Sequence, residues 1–295
     1  MRAQDLLKSI NMPTGDNYNL PTSKKTFEDA ANYRIEVPTI NSLEALECLL
    51  TEAVHKKITI NRVTETRGLF LHTATEIKEW VSCANDYGCD LFMSIGPRAA
   101  YDTSATVNTK DGFRIGYRLR GQDQIVRAIE EILRALDLGV SNFLIYDEGL
   151  LFLLQKLKEN NKIAKNIKLK VSAHCGHANT AAIKMLENMG ADSVNPVRDL
   201  QLPMIAAIRE IVDIPLDIHS DNPKSSGGFI RFYEVPDIIK IASPVYIKVG
   251  NSAIENHGTL TKKSDAVNIM RNIEIVMEMI TRYNGNARQS KIIKG

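Results

Sequence analysis

Short apolar segments that end in polar residues recur along the chain, and most of them are followed by a stretch with helical periodicity. Alternation of such strands and helices is typical of parallel α/β folds, and eight units predict a closed (β/α)8 barrel, or TIM barrel. The polar residues collect at the carboxyl end of each segment, where barrels of this kind carry their active sites. The predicted strands are residues 33–38, 57–62, 91–96, 142–147, 168–174, 193–197, 215–219 and 245–250.

Apolar residues at helical spacing separate most of these strands. One such stretch begins at Ser42, where a Ser-x-x-Ala sequence offers a side-chain cap for the first turn. Gly88, Gly139 and Gly190 follow three of the stretches, at the position where a left-handed residue ends a helix. The predicted helices are residues 42–55, 75–87, 122–138, 148–159, 180–189, 202–212 and 263–283.

The length of the chain agrees with one barrel. It has 295 residues, of which 44% are hydrophobic, and barrels of about 250 residues fold as one domain. We therefore expect a single barrel domain over residues 33–285. An N-terminal extension, residues 1–32, would precede it, and a C-terminal tail, residues 286–295, would follow it.

The charges of the chain nearly balance, with a net charge of +2. Such a chain has no basic field for nucleic acid, and no apolar run of about 18 residues is present to span a bilayer. The first residues also lack the apolar core of a secretory signal. We expect a soluble, cytoplasmic protein whose partners are a small-molecule substrate and further copies of the chain in a homo-oligomer, with no nucleic acid and no membrane.

The cysteines are scattered. Cys48, Cys83, Cys89 and Cys175 show no CxxC spacing. An iron–sulfur cluster or a structural zinc site needs clustered thiolates. We therefore expect reduced thiols and no iron–sulfur cluster.

The residues that can take part in catalysis are most frequent in the later strands, where they occupy alternate positions. By the two-residue period of a strand, His174 shares a face with Lys170, and His219 shares a face with Asp217. Lys248 lies near the end of the last strand. Asp, His and Lys side chains are buried inside a strand only if they pair with one another or bind a ligand. The pattern predicts a catalytic site at the C-terminal face, and its residues are His174, Asp217, His219 and Lys248.

Two interpretations of the Asp-x-His-x-Asp sequence at residues 217–221 stay open. Together with His174, the side chains of Asp217 and His219 can hold a divalent metal such as Zn, Mn or Mg. Alternatively, Asp217 orients His219 or Lys248 through hydrogen bonds.

Lys170 and Lys248 also allow two interpretations. A lysine buried in a barrel has a lowered pKa and can act as a nucleophile or a base, including as a Schiff-base lysine. The alternative is an ion pair with Asp217 or Glu36.

Glycines after two strands suggest a phosphate site. Gly227 and Gly228 follow the seventh predicted strand and Gly250 follows the eighth, where barrels often bind phosphate with backbone N–H groups. Glycines are also common in ordinary loops, so the two interpretations stay open.

One connection is unusually long. It runs over residues 97–121 and contains four arginines, Arg98 among them. A loop of this length in a compact domain is typical of a lid over an active site, and the guanidinium groups favour an anionic substrate. The Lys-Asp-Gly sequence at residues 110–112 favours a solvated β-hairpin instead.

Residues 190–221 contain a Gly-Ala-Asp strand, an Arg-acidic-Leu helix start and a strand that ends near a His. In these features the stretch resembles the peptidase U32 family. The likeness covers about residues 168–283, where Lys248 and Gly250 stand in place of a Lys-Ile-Glu-Gly-Arg-like segment of the family. The matching positions are Gly190, Ala191, Asp192, Arg198, Asp199, Leu200 and His219.

The chain departs from the family after this His. Members usually continue with Gly-Ala-Leu-Cys and further cysteines, which in several of them hold an iron–sulfur cluster, whereas residues 220–223 here read Ser-Asp-Asn-Pro. Val249 and Asn251 replace an acidic residue and an arginine of the later segment. The resemblance thus implies a barrel with a site around His219 and Lys248, and it carries over neither proteolysis nor a cluster.

These observations predict an enzyme that acts on a small anionic molecule by hydrolysis or by a lyase or isomerase step. His174 and His219 would act as acid and base. Asp217 would orient a histidine or bind metal, and Lys248 would stabilise negative charge. The competing class is a non-catalytic barrel that binds a metabolite or a partner protein on the same face. The residues predicted to contact the substrate are Glu36, Asn61, Arg98, Asn195, Arg198 and Asn251.

Overall fold

The computed structural model describes residues 2–96, 109, 112, 116–256 and 258–291. Its strands are parallel and pair in chain order, and β8 returns to β1, so that the barrel closes. The predicted (β/α)8 fold is thereby confirmed. The strands are β1 Tyr33–Val37, β2 Arg62–Glu65, β3 Asp90–Ser94, β4 Asn142–Ile145, β5 Lys168–Val171, β6 Ser193–Val194, β7 Leu216–His219 and β8 Val245–Lys248.

Each strand is followed by a helix, from α2 after β1 to α9 after β8. Within the described ranges, no helix is both long and apolar enough to cross a lipid bilayer. The helices are α1 Ala3–Ser9, α2 Leu43–His55, α3 Ala74–Asp86, α4 Gly121–Asp137, α5 Glu148–Glu159, α6 Thr180–Asn188, α7 Leu202–Ile211, α8 Val235–Ala242 and α9 Lys263–Tyr283.

The helix boundaries follow the predicted caps. At the start of α2, Oγ of Ser42 accepts a hydrogen bond of 3.1 Å from the Ala45 N–H. Gly88, Gly139 and Gly190 follow α3, α4 and α6 with φ values of +62°, +93° and +91°. This left-handed conformation lets the last carbonyl groups of a helix find partners at little steric cost.

The second strand lies later in the chain than the predicted residues 57–62. Lys57 has a φ of +56°, and the Ile58 N–H donates to the carbonyl of Ala53 at 2.9 Å, so these residues terminate α2. Strand pairing begins at Arg62, opposite Glu36 of β1. The prediction was wrong because the apolar residues 58 and 60 pack beneath the end of a helix.

Helix α8 was not predicted from the sequence. Helix α8 has only eight residues, of which Asp237 and Lys240 are exposed, so its apolar period covers about two turns and is shorter than the 11–18 residues over which such a period is read. Its buried residues are Val235, Pro236, Ile238, Ile239, Ile241 and Ala242.

Alternate residues of each strand face opposite sides of the barrel wall. Most of those that face outward are apolar and pack in the hydrophobic core, as Ile35, Val63 and Ile247 do. Many of those that face inward are polar, including Glu36 and Asp217, and both are fully buried. The aliphatic core therefore lies between the barrel wall and the helices, and the barrel interior is free for polar chemistry.

The two ends of the chain lie against the N-terminal end of the barrel. In the extension, the ring of Phe27 meets that of Tyr246 edge-on, with centroids 5.3 Å apart. In the tail, Gln289 forms a parallel bridge with Tyr33, and the Ser290 N–H donates to the Tyr33 carbonyl at 3.1 Å. Both segments thus cover the end opposite to the carboxyl ends of the strands.

Candidate active site

The barrel interior holds five charged side chains, which we call the ionic cluster: Glu36, Arg62, Lys170, Asp217 and Lys248. None is more than 4% exposed. Glu36 bonds directly to Lys170, and Nζ of Lys248 lies 3.1 Å from its carboxylate. Nη1 of Arg62 lies 3.2 Å from both Glu36 and Asp217. Of the two interpretations of the lysines, the structure therefore shows ion pairs, with Glu36 as the shared partner.

Burial disfavours charge in the ionic cluster. It would by itself raise the pKa of Glu36, but the three surrounding cations hold that pKa well below its ordinary value. Burial lowers the pKa of Lys170 to about 7, although Glu36 attracts the proton. Lys170 therefore loses its proton more readily than an exposed lysine does. Its side chain is fully enclosed and bonds to Glu36, and the Schiff-base interpretation stays a prediction.

Asp217 does not orient a histidine, as one interpretation proposed. Its carboxylate accepts hydrogen bonds from Nη1 of Arg62 and, at 3.0 Å, from Oγ of Ser193. Nζ of Lys170 lies 3.6 Å away. Asp217 is therefore a carboxylate of the ionic cluster, and among the described residues no histidine N–H donates to it.

His219 ends β7, and its strand partner on β8 is Lys248. Nε2 of His219 lies 3.2 Å from Oδ1 of Asn195. The amide of Asn195 is oriented by its Nδ2, which donates to the carbonyls of Asp217 at 2.7 Å and Pro196 at 3.2 Å. Since Oδ1 can only accept, the network assigns the ring hydrogen of His219 to Nε2 and the lone pair to Nδ1.

The remaining nitrogen of His219 carries a lone pair. Nδ1 is buried and has no hydrogen-bond partner within the described ranges. Burial lowers the pKa of His219 well below its ordinary value, and the positive charges of Lys248 and Arg198 lower it further. The imidazole is therefore neutral at pH 7.

A group of rings and one guanidinium lies at the C-terminal face, and we call it the aromatic rim: Tyr117, Tyr146, His174 and Arg198. The ring of Tyr117 stacks on His174 at 4.1 Å and on Tyr146 at 4.9 Å between centroids. Nη2 of Arg198 lies 2.9 Å from Nε2 of His174. Because arginine only donates, Nε2 of His174 accepts this bond.

His174 is not a strand residue, as the sequence predicted. β5 ends at Val171, and a 3₁₀ turn over Ala173–Cys175 follows it. Oγ of Ser172 accepts from the His174 N–H at 3.2 Å and so begins that turn. The turn carries His174 out of the barrel interior to the aromatic rim.

Arg198 retains unused hydrogen-bonding capacity. Its Nε is buried without a partner, and it forms no ion pair with any carboxylate that the structure describes. Burial lowers its pKa, yet a guanidinium stays charged in proteins. The C-terminal face thus presents a positive charge that an anionic ligand can neutralise.

Loops after β4 and β5 are tied together at this face. Glu148, the first residue of α5, bonds to both Arg118 and His177. Nη2 of Arg118 also donates to the Cys175 carbonyl at 2.9 Å. Arg118 thereby fixes the end of the long connection. Most of the predicted lid or hairpin, including Arg98, lies outside the described residues.

Asn61 does not lie at the substrate face, where it was predicted. Its Oδ1 accepts from the Ile35 N–H at 2.9 Å, and its Nδ2 donates to the Ser290 carbonyl at 3.0 Å. Because β2 begins just after Asn61, this residue lies at the N-terminal end of the barrel. It joins β1 to the C-terminal tail.

Asn61→Ala should therefore affect stability and not chemistry. We expect the free energy of unfolding to fall by about 1–3 kcal/mol, because the Ile35 N–H and the Ser290 carbonyl lose a buried partner. Urea unfolding measures this loss. An unchanged free energy of unfolding would contradict this structural role.

The side-chain amide of Asn251 also forms its hydrogen bonds within the protein. Its Oδ1 accepts from Oγ1 of Thr39 at 3.0 Å, and its Nδ2 donates to Oδ1 of Asn222 at 3.0 Å. These bonds join the loops after β1, β7 and β8. The structure therefore gives Asn251 a structural role, and a substrate contact by this residue stays a prediction.

A carboxylate fills the predicted phosphate site after β8. Asp221 accepts from the N–H groups of Gly250 at 2.9 Å and Ser252 at 2.8 Å. After β7, the N–H groups of Gly227 and Gly228 close their own turn. The glycines therefore serve loop structure, and Asp221 takes no part in a site with His219.

The structure does not bring the three predicted metal ligands together. Asp217 belongs to the ionic cluster, His219 bonds to Asn195, and His174 bonds to Arg198. Over the described ranges, no group of three His, Cys, Asp or Glu side chains is arranged to hold a metal ion. Binding of a divalent metal stays a prediction, and these residues do not fit it.

The thiols of the four cysteines belong to neither the ionic cluster nor the aromatic rim. Burial raises the pKa of Cys83 to about 11 and that of Cys175 to about 12, so both thiols are protonated at neutral pH. Cys89 is likewise buried, and Cys48 is half-buried. That the protein holds no iron–sulfur cluster stays a prediction, which the iron content and visible spectrum of the purified protein will test.

Several residues of the site were not found from the sequence. Arg62 was placed at the wrong end of its strand, and a correct start of β2 would have put it beside Glu36. Tyr146 follows β4 directly, so an aromatic residue at a strand end was an available signal. Tyr117 lies in an irregular connection, where neither strand nor helix periodicity applies.

Comparison with solved structures agrees with the barrel. The YdjI aldolase from Escherichia coli K12 is similar with a TM-score of 0.50 and 14% identity, over 87% of this chain and 94% of that chain. A candidate fructose-1,6-biphosphate aldolase from Coccidioides immitis gives 0.52 and 15%, over 87% and 92%. The U32 peptidase Mk0906 gives 0.42 and 17%, over 70% and 74%. At such identities, similarity bears on the fold alone.

The family resemblance is confirmed at the level of sequence. The model of peptidase family U32 matches residues 119–221 of this chain. The match includes all the positions from Gly190 to His219 on which the resemblance was based. It begins earlier than the predicted residue 168 and ends before the predicted likeness around Lys248. No curated protein matches the chain.

Proposed function

We propose that this chain is an enzyme that acts on a small anionic substrate at the C-terminal face of its barrel, with His219 as general base. The observation that carries the proposal is the unpaired Nδ1 of a neutral, buried His219 beside Lys248. A neutral imidazole with an available lone pair can take a proton at pH 7. A structural histidine in the same position would have both ring nitrogens bonded.

The other residues have roles that follow from their contacts. Asn195 holds the tautomer of His219, because its Oδ1 accepts the Nε2 hydrogen. Lys248 offers an ammonium where negative charge develops on the substrate. Arg198 binds the anionic group of the substrate with the donors that it does not use within the protein. His174 positions Arg198, since its Nε2 accepts from the guanidinium.

We favour proton abstraction beside a carbonyl or carboxylate, as in a lyase or an isomerase, over hydrolysis. His219 and Lys248 are partners on neighbouring strands. Such a pair suits a reaction in which the imidazole removes a proton from the substrate and the ammonium stabilises the enolate-like negative charge that forms. In hydrolysis, His219 would instead activate a water molecule. Both reactions use the same base, and isotope labelling separates them.

The test is a screen of small carboxylates and phosphate esters in deuterium oxide. Proton NMR reports exchange of a substrate hydrogen for deuterium, and mass spectrometry after incubation in oxygen-labelled water reports hydrolysis. His219→Gln should remove either signal, whereas His55→Gln, on the exposed surface of α2, should not. Anions that bind without any reaction would favour the non-catalytic, metabolite-binding barrel.

The lowered pKa of His219 predicts the effect of acid on stability. The folded-state pKa lies below the ordinary value of 6.5, so the unfolded chain takes up the proton first as the pH falls. The free energy of unfolding should therefore decrease below pH 6.5, and His219→Gln should remove part of that decrease. Urea unfolding over a pH series measures it. Equal slopes for variant and wild type would contradict a buried, neutral His219.

A further inference from the structure

A cavity of about 520 Å³ opens at the N-terminal end of the barrel, opposite the candidate active site. Residues at or next to the starts of strands line it, among them Arg34, Arg62 and Asp90. The N-terminal extension contributes Phe27 and Thr26. We call it the N-terminal cavity. Its volume lies within the range of about 300–1,000 Å³ that small-molecule sites occupy.

Guanidinium groups and aromatic rings form the inner surface of this cavity. Arg34 lies over the ring of Phe27 at 4.2 Å from its centroid. Arg62 lies over Tyr246 at 3.3 Å and over Phe92 at 4.4 Å. Flat surfaces and fixed positive charges thus occur side by side, which is the composition that binds an anionic group joined to a flat apolar body.

The two arginines keep donors that the protein does not use. Arg34 donates from Nε to Ser290 at 2.8 Å and from Nη1 to the Tyr246 hydroxyl at 2.9 Å, and it pairs with no carboxylate among the residues described. Arg62 is 3% exposed, and its Nε is buried without a partner. A buried donor without a partner costs free energy unless a ligand or water satisfies it.

The mouth of the cavity differs from its inner surface. Lys168 and Asp90 lie there 3.6 Å apart and largely cancel each other's charge. Their side chains are 46% and 36% exposed, so solvent already satisfies them. Arg62 is already paired with Glu36 and Asp217. The lining also contains the carboxylates of Glu28, Asp192 and Asp213. The guanidinium that has no carboxylate partner among the described residues, and whose positive charge can select a ligand, is therefore that of Arg34.

We propose that the N-terminal cavity binds a small carboxylate with an aromatic body. Its carboxylate pairs with Arg34, and its ring lies against Phe27 and Tyr246. The planar fork of an arginine matches the two oxygens of a carboxylate, and the edges of the rings accommodate a further flat group. This site is separate from the proposed active site and does not depend on it.

The test uses para-fluorophenylacetate as the probe and fluorine NMR as the readout, on the full-length protein. The wild type should bind the probe, and Arg34→Met should weaken binding about tenfold or more, because a charge-assisted pair is lost. Arg198→Met, at the opposite face, should bind as the wild type does. Loss of binding in Arg198→Met alone would place the probe in the candidate active site and overturn the proposal.

A second variant tests the proposal even if Arg34→Met does not fold. Thr26 is exposed at the cavity mouth, and Thr26→Trp fills the entrance without touching the ionic cluster. It should keep the melting temperature of the wild type and lose the probe. Undiminished binding in this variant would contradict the proposal, as would equal affinity for para-fluorotoluene, which lacks the carboxylate.

Discussion

Replacing Glu36 by Gln should lower the free energy of unfolding by about 3–5 kcal/mol at neutral pH, because it leaves buried cations without their shared carboxylate. Glu36 bonds to Lys170 and lies 3.1 Å from Lys248. Only Asp217 would remain to balance the cluster, and it lies 3.6 Å from Lys170. The glutamine has nearly the shape of the glutamate, so lost charge and not lost packing causes the effect.

The pH dependence of this loss distinguishes the electrostatic cause. Burial already lowers the pKa of Lys170 to about 7, and loss of the Glu36 carboxylate should lower it further. The deficit of Glu36→Gln in urea unfolding should therefore be largest below pH 7, where wild-type Lys170 is protonated, and should shrink as the pH rises through about 7. A deficit that is constant with pH would indicate altered packing.

Glu44→Gln is the matched control. Glu44 also pairs with a lysine, at 3.2 Å from Lys263, but both side chains are more than half exposed. Solvent screens such a pair, and its loss should change the free energy of unfolding by less than about 1 kcal/mol. A similar fall in the free energy of unfolding in both glutamine variants would mean that burial of the ion pair does not determine its contribution to stability.

The two-residue period of strands explains which site residues could be predicted. It placed Asp217 and His219 on one face and Lys248 near the same end of the barrel, and the structure agrees because regular strands keep this alternation. It could not say that Asp217 would pair with Arg62 instead of a histidine. Partners across a barrel depend on the register of strands that are distant in sequence.

The errors arose where regular periodicity ended. An apolar run after α2 was taken for β2, and this one displacement put Asn61 at the wrong end of the barrel and concealed Arg62. Beyond β8, Asn251 lies in a loop whose hydrogen bonds come from other loops. Polar residues in loops can bind a ligand or each other, and sequence alone does not distinguish these uses.

Lys248→Met should leave the fold intact and remove the proposed activity. The methionine keeps the apolar stem, and Glu36 retains Lys170, Arg62 and the 2.9 Å hydrogen bond from Oγ1 of Thr64. No carboxylate of the ionic cluster is therefore left unpaired. Removal of a buried cation from a cluster with more cations than carboxylates should cost little stability.

Turnover depends on Lys248 in a different way. If its ammonium stabilises the negative charge that develops as His219 takes a proton, its removal should lower the rate by about 10²–10³. The rate is that of deuterium exchange into whichever anion the screen identifies, and Lys56→Met, at an exposed pair with Glu274, is the control. Thermal melts of both variants can be run first. A fall of about 10 °C in Lys248→Met would correspond to roughly 3–5 kcal/mol and would make Lys248 a structural residue.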